Sequence, residues 1–156
     1  MGACQDSRQI RPASAADSAD FAALIDQAYA KYVERIGGKP APMTADYAAL
    51  IEAGDVWILD IGGRLAGGMI LRDGSDHLLV SNVVVSPKCQ GQGLGAYLLA
   101  FADAEARRRR LPELRLYTNE KMHENLVIYE RLGWVRYAER EEDGFRRIFM
   151  KKQVSG

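Results

Sequence analysis

The stretch Val83-Val84-Val85-Ser86-Pro87-Lys88-Cys89-Gln90-Gly91-Gln92-Gly93-Leu94-Gly95-Ala96 constrains this chain more than any other. A β-branched run reads as a strand and Pro87 ends it. Glycine then takes every second position through Gly91, Gly93 and Gly95. An apolar helical pattern begins at once, with Leu94, Leu98, Leu99, Phe101 and Ala102. Strand, glycine loop and helix start together make a phosphate trap. The loop N–H groups and the positive helix end point the same way, and glycine lets a ligand touch the backbone. A plain strand-to-helix turn would need one glycine, not a series.

Spacing separates the phosphate loops. A nucleoside-triphosphate loop would end in Gly-Lys-Ser/Thr, whereas this one ends in Gly95-Ala96-Tyr97. The dinucleotide pattern is formally met by Gly91, Gly93 and Ala96, and a strand at about 113–118 follows the helix. Yet Ser86 to Gln90 separate its first glycine from the strand end. Leu116-Tyr117-Thr118-Asn119 also lacks the ribose-binding acid. A nicotinamide-linked oxidoreductase is therefore the weaker alternative.

Gln90-Gly91-Gln92-Gly93-Leu94-Gly95 fits the loop Gln/Arg-x-x-Gly-x-Gly/Ala, and Val85-Ser86-Pro87 supplies a V-x-P lead-in. Downstream, Asn125-Leu126-Val127-Ile128-Tyr129-Glu130-Arg131-Leu132-Gly133-Trp134 gives an Asn, then a Tyr, then a Gly-aromatic pair. From about Trp57 to Lys151 the chain resembles the GNAT family of N-acetyltransferases. The resemblance implies an α+β (mixed α/β) fold: a single acyl-CoA N-acyltransferase domain over residues 1–156, with a splayed mixed sheet flanked by helices. The splay would fall between strands at about 77–86 and 113–118 and hold the pantetheine arm.

The implied reaction moves the acetyl group of acetyl-CoA, a cosubstrate, to a primary amine by direct attack, with no metal. Gln90, Gly91, Gln92, Gly93, Leu94, Gly95 and Ala96 would bind the pyrophosphate. Backbone N–H groups of Val83, Val84 and Val85 would face the thioester carbonyl as an oxyanion site. Tyr129 is the candidate general acid, since a phenol with a pKa of about 10 is protonated at neutral pH. Asn125, one helical turn earlier, would hydrogen-bond the pantetheine amides. Many relatives place that asparagine seven residues before the tyrosine, where this chain has Met122. Asn119 is expected to cap the following helix.

The general base is not evident. Relatives often carry a glutamate two to four residues before the position of Val85, and here the stretch is Ser81-Asn82-Val83. Asp76 and His77, at the strand start, are the alternatives acting through water. By the same resemblance the acceptor would lie under Ala28 to Tyr47, held partly by Tyr29 and Tyr32. Lys31, Glu34, Arg35, Lys39 and Asp46 give that segment both signs of charge, unlike the acidic lining a polycation needs. A small amine or amino-acid-like acceptor is expected. The rival class is a non-catalytic module that binds or senses acetyl-CoA, and the resemblance leaves room for a homodimer.

With 156 residues, 21 basic and 21 acidic, the chain has no net field to draw it to nucleic acid or an anionic membrane. Arg107 to Arg110 reads as a solvated helix terminus. Cys4 and Cys89 show no disulfide or metal spacing, so Cys89 is expected to be a thiol and the protein cytoplasmic. Met1-Gly2 begins like a myristoylation site, but Asp6 stands where Ser or Thr is required. No signal-type apolar run or membrane-length segment appears.

Periodicity places a short strand at Gln9-Ile10-Arg11 and a helix from Asp17 to Ile36, with Phe21, Leu24, Ile25, Ala28 and Tyr32 on one face. Gly37 to Pro42 form a loop, and Thr44 caps a helix through about Glu52. Hairpins are expected around Gly62-Gly63 and around Asp143-Gly144. A long strand from His77 to Val85, buried on both faces near its end, and helices at about 93–109 and 120–131 complete the order β-α-α-β-β-β-α-β-α-β-β.

Overall fold

Among the residues described by the computed structural model (7–39, 41–142 and 144–155), the chain runs β1 (Arg8–Pro12), α1 (Ser18–Ile36), α2 (Tyr47–Glu52), β2 (Val56–Ile61) and β3 (Arg64–Asp73). It continues as β4 (Leu78–Val85), α3 (Leu94–Arg108), β5 (Glu113–Asn119), α4 (His123–Arg131), β6 (Val135–Glu142) and β7 (Phe145–Gln153). The expectations placed on Met1, Gly2, Cys4, Asp6, Pro40 and Asp143 lie outside the described residues. The strand order is β1-β2-β3-β4-β5-β7-β6. β1–β2, β2–β3, β5–β7 and β6–β7 pair antiparallel and β4–β5 parallel, so the sheet is mixed and the fold α+β. The chain gathers into two compact units: one holds the residues up to Leu71 with Asn82–Leu99, the other Arg72–Ser81 with the residues from Ala100 onward.

In the first unit, α1 starts where Asp17 accepts from the Ser14 N–H at 2.7 Å and from its hydroxyl at 3.1 Å. Arg11 clamps this corner, bonding Asp17 at 2.8 Å and Asp60 at 2.7 Å. The Arg11 hydrogen bond holds the Asp17 carboxyl far below the usual carboxylate range. α1 ends at Gly37, whose φ of 89° lets its N–H reach the Val33 carbonyl. The buried face is Phe21, Leu24, Ile25, Tyr29, Tyr32 and Ile36. Tyr29 takes the inward place expected for Ala28, which is half-buried, because the helix continues from Ile25 by a four-residue step. Thr44 does not cap α2. It lies in a 3-10 turn, and Asp46 accepts from the Ala49 N–H instead, at 3.1 Å.

Gly62 and Gly63, at φ 58° and 80°, close the β2–β3 hairpin as a two-residue turn needing positive φ at both positions. Two further glycines sit inside β3, where a strand normally avoids them. A Cβ on Gly67 would lie 2.5 Å from the Val84 carbonyl oxygen, and one on Gly68 2.5 Å from the Trp57 oxygen and 2.6 Å from the Phe21 ring. Neighbouring backbone and a fully buried ring leave no room for a methyl. β4 corrects the expectation of a strand buried on both faces: Leu78, Val80, Asn82 and Val84 are buried, while Leu79, Ser81, Val83 and Val85 are only half-buried. Its alternation is strict, so Asn82 is carried inward.

The second unit is organised on β5, which pairs with β7 from Glu113 to Asn119, whereas its parallel pairing with β4 is confined to Leu78↔Leu114 and Leu79↔Arg115. Leu114, Leu116, Ile148 and Met150 fill the core side, each side chain contributing about 1.5–3 kcal/mol. The Arg107–Arg110 block is more than a solvated terminus. Glu105, 6% exposed, accepts from Arg108 at 2.6 Å and from Arg109 at 2.8 Å, and Arg109 also reaches Asp73 at 2.6 Å.

Gly68→Ala should cost about 1–3 kcal/mol, read as a lower urea midpoint at unchanged slope; an unchanged midpoint would mean that the Phe21 ring yields freely. Hydrogen bonds from Arg108, then Arg109, hold the Glu105 carboxyl below its ordinary value. A depressed acid stabilises above its unfolded pKa and loses that contribution as pH falls through its folded value. Glu105→Gln should therefore destabilise at neutral pH by about 1–3 kcal/mol and flatten the acid limb of the stability curve, measured by denaturation from pH 7 to pH 3.

Candidate active site

β4 delivers the glycine loop through a tight turn. The Ser86 N–H donates to the Ala66 carbonyl at 2.8 Å, its carbonyl accepts from the Cys89 N–H at 2.8 Å, and its hydroxyl accepts from the Lys88 N–H at 3.4 Å. Pro87 pre-sets φ for this 3-10 turn, Pro87–Cys89. Gly91 and Gly93 come next, at φ 83° and 73°, conformations that side chains resist. A Cβ built on Gly91, Gly93 or Gly95 would meet nothing within 4 Å. Gln90, Gly91, Gln92, Gly93 and Ala96 are exposed, Gly95 is half-buried, and Leu94 anchors the loop in the core at 2% exposure. The Tyr97 N–H reaches the Gly93 carbonyl at 3.0 Å, so the N–H groups of Leu94, Gly95 and Ala96 have no acceptor within α3. An open, N–H-rich helix start of this kind attracts an anion. Upstream, Val84 is buried and Val83 and Val85 are half-buried.

The expectation of a thiol at Cys89 is corrected. Cys89 is disulfide-bonded, and no free cysteine occurs among the described residues. The argument from unpaired cysteines to a reducing compartment therefore lapses, because Cys89 is paired.

Also in the first unit, Tyr29 and Tyr32 are 8% and 5% exposed, with ring centroids 6.1 Å apart. Lys31 Nζ lies 5.0 Å and the Arg35 guanidinium 5.1 Å from the Tyr32 ring. The Tyr29 hydroxyl donates to Asn82 Oδ1 at 2.6 Å, and Asn82 is 7% exposed. The Tyr47 hydroxyl donates to the Pro42 carbonyl at 2.5 Å. Burial pushes the Tyr47 phenol up to about 12, with the Asn82 amide pulling the other way. This buried polar cluster, centred on a β4 side chain, is one that the residues alone did not disclose. Its signal was a polar residue at an inward position of a strand whose other inward residues are Leu78, Val80 and Val84.

In the second unit, α4 carries Asn125 and Tyr129 on one face, both half-buried. The helix begins at His123, later than expected. Asn119 does not cap it; its side chain accepts from the Lys121 N–H at 2.9 Å and its carbonyl from the Met122 N–H at 3.0 Å, forming a turn ahead of α4. Met122 is 5% exposed, with its sulfur 3.7 Å from the Thr118 hydroxyl. The Tyr129 carbonyl accepts from the Leu132 and Trp134 N–H groups, each at 3.0 Å. Gly133, at φ 96°, turns the chain so that buried Trp134 sets its ring 6.0 Å from that of Tyr129. The Gly-aromatic pair thus fixes the phenol's ring.

Asp76 and His77 form a surface pair, Nδ1 to Oδ1 2.9 Å, in which the imidazole lowers the Asp76 pKa. No group of metal-ligating side chains occurs among the described residues, and no described helix is long and apolar enough to cross a membrane.

A profile of the acetyltransferase (GNAT) domain family matches residues 52–136, more than half of the chain. Over 84 residues the chain is 43% identical to a mycothiol acetyltransferase of Thermomonospora curvata, covering 53% of this chain and 28% of that protein. The chain thus spans well under half the length of that curated relative. The ribosomal-protein-S18-alanine N-acetyltransferase of Escherichia coli superposes with a TM-score of 0.74 at 22% identity, covering 96% of each chain. A PaiA N-acetyltransferase of Thermoplasma acidophilum, solved with coenzyme A, gives a TM-score of 0.77 at 16% identity, covering 94% of this chain and 99% of the other. These two likenesses concern the fold.

Proposed function

The chain belongs to the GNAT acetyltransferase family, acyltransferases that draw on acetyl-CoA, and from this we propose that it acetylates the primary amine of a small molecule by direct attack, as one domain over residues 1–156. The observation that carries the reading is the glycine loop: Gly91 and Gly93 at positive φ with open space around them at the start of α3. Gln90 to Ala96 take the pyrophosphate on backbone N–H groups, which suits an anion at a helix N-terminus. Val83 to Val85 offer backbone N–H groups to the carbonyl oxygen as charge builds on it. Asn125 bonds the pantetheine amides. Tyr129 gives its proton to the departing thiolate, its ring held by Trp134.

The acceptor side is read from α1 and α2. Lys31, Arg35 and Lys39 face no excess of acid in this segment, which disfavours a polycation. A small amine or amino-acid-like acceptor, in contact with Tyr29 and Tyr32, fits this charge balance. A non-catalytic module that binds acetyl-CoA is the second reading, supported by the absence of an acid at Ser81-Asn82-Val83. Thiol release from acetyl-CoA with a panel of amines separates the two.

Gly93→Val should abolish acetyl-CoA binding measured by calorimetry while leaving the circular dichroism spectrum unchanged, because a β-branched residue resists φ 73° and fills the approach to the loop. Undiminished affinity would take the loop out of the site. Tyr129→Phe keeps the ring against Trp134 and should lower turnover by about 10²–10⁴ with little change in acetyl-CoA affinity. Turnover within a factor of two of the parent would leave Tyr129 a packing residue.

A further inference from the structure

Two arginines stand at the loop end of the first unit with nothing to neutralise them. Arg8 pairs with Ile61 across β1 and β2, and Ile61 with Arg64 across the β2–β3 hairpin, so the three side chains make one row on one face of the sheet. Ile61 is buried, while Arg8 and Arg64 are exposed. The start of α3 lies against the same face, because the Arg8 guanidinium stacks over the Tyr97 ring, 5.1 Å from its centroid. Tyr97 closes the first turn of α3, its N–H on the Gly93 carbonyl at 3.0 Å. Helical side chains lean towards the helix N-terminus, so the ring carries Arg8 towards the glycine loop.

Neither arginine makes an ion pair among the described residues, and neither does Lys88, exposed in the turn that opens the loop. Asp60, next to Ile61, points to the opposite face, where Arg11 holds it at 2.7 Å. Residues 61–66 and 86–97 contain no Asp or Glu. A chain without net charge thus concentrates positive potential beside a helix start that is itself positive. Unpaired cations set side by side add nothing to the stability of the fold, so the arrangement points to a ligand with more negative charge than the loop N–H groups alone would hold.

We propose that Arg8 and Arg64 bind the 3′-phosphate of acetyl-CoA. The proposal rests on the acetyl-CoA reading of the loop from Gln90 to Ala96 and deepens it. The loop accounts for the pyrophosphate; the remaining phosphate is a monoester on the ribose, close to a dianion at neutral pH. Strand order gives the nucleotide its direction. β5 flanks β4 on one side, and β3, β2 and β1 lie on the other. With the pantetheine arm on the β5 side, the nucleotide end passes over β3 and β2, where the two arginines stand. A guanidinium stacked on a ring keeps its N–H edge free, and that edge matches two phosphate oxygens at once. Arg64 lies about 10 Å from Arg8, two strand spacings away, a gap that two long side chains close around one phosphate.

Calorimetry on the full chain with acetyl-CoA and with acetyl-3′-dephospho-CoA tests this. The parent protein should bind acetyl-CoA about 10- to 100-fold more tightly, the worth of one charge-assisted pair. Arg8→Gln and Arg64→Gln should each lower that ratio by about threefold or more, and the double variant should bring it near one. Affinity for the dephospho ligand should stay within about twofold throughout, because the loop is untouched. Equal affinity of the parent for the two ligands overturns the proposal, as does a double variant that keeps the ratio. A double variant that weakens both ligands alike overturns it too, and moves the arginines to the pyrophosphate. The parent comparison stands even if a variant fails to fold. A parent that binds neither ligand removes the loop reading and the proposal together, whereas binding of both without preference removes only the proposal.

Discussion

Leu78, Val80 and Val84 pull β4 inward, and because side chains on a strand alternate, the same pull takes Asn82 with them. No shift of register spares the amide without turning the apolar residues to the outer face. The parity also sets how the chain exits the sheet, since Val85 must leave the strand on its half-buried side and pass into the Ser86–Cys89 turn. The glycine loop is thus hung from a strand whose position is fixed by hydrocarbon burial. Gly91 and Gly93 adopt their positive φ without strain, and Leu94, Leu98 and Leu99 anchor the helix behind them.

Much of this was legible in the residues. The β-branched run, the glycine series and the helical pattern behind it locate β4, the loop and α3 to within a residue or two, because each reports a local conformational requirement. The same holds for Gly62-Gly63, where consecutive positive φ values leave little choice but a tight hairpin. What escaped depended on partners distant in sequence. Gly67 and Gly68 look like weak strand residues until the Val84 and Trp57 carbonyls and the Phe21 ring are placed beside them. Asp46 displaces Thr44 as a cap because the intervening residues close a 3-10 turn first. The Cys89 disulfide and the Glu105 clamp are likewise products of the fold.

The candidate site was legible in a different degree. Two signatures named the loop and Tyr129, and the structure supplies physical reasons for their glycines that the sequence could not. In the loop, glycine keeps space open. After α4, Gly133 has the opposite effect: it turns the chain back so that Trp134 is buried against Tyr129. One residue type thus serves access in one motif and packing in the other. Asn82 stands where relatives often carry an acid, and its burial depends on Tyr29, a partner 53 positions away in the sequence.

Net charge is a poor guide to recognition in this chain. Its basic and acidic residues balance, and many described cations are already engaged: Arg11 with Asp17 and Asp60, Arg109 with Glu105 and Asp73, Arg147 with Glu142. Charges neutralised by a close partner in this way cast little field, and salt screens what remains beyond about 10 Å. The neutral polar groups buried around β4 behave differently. The hydrogen bonds from the Tyr29 hydroxyl to Asn82 Oδ1 and from the Tyr47 hydroxyl to the Pro42 carbonyl are shielded from water, so they are strong, directional and insensitive to ionic strength. They fix α1 and the segment around α2 by geometry, where a distant field could not.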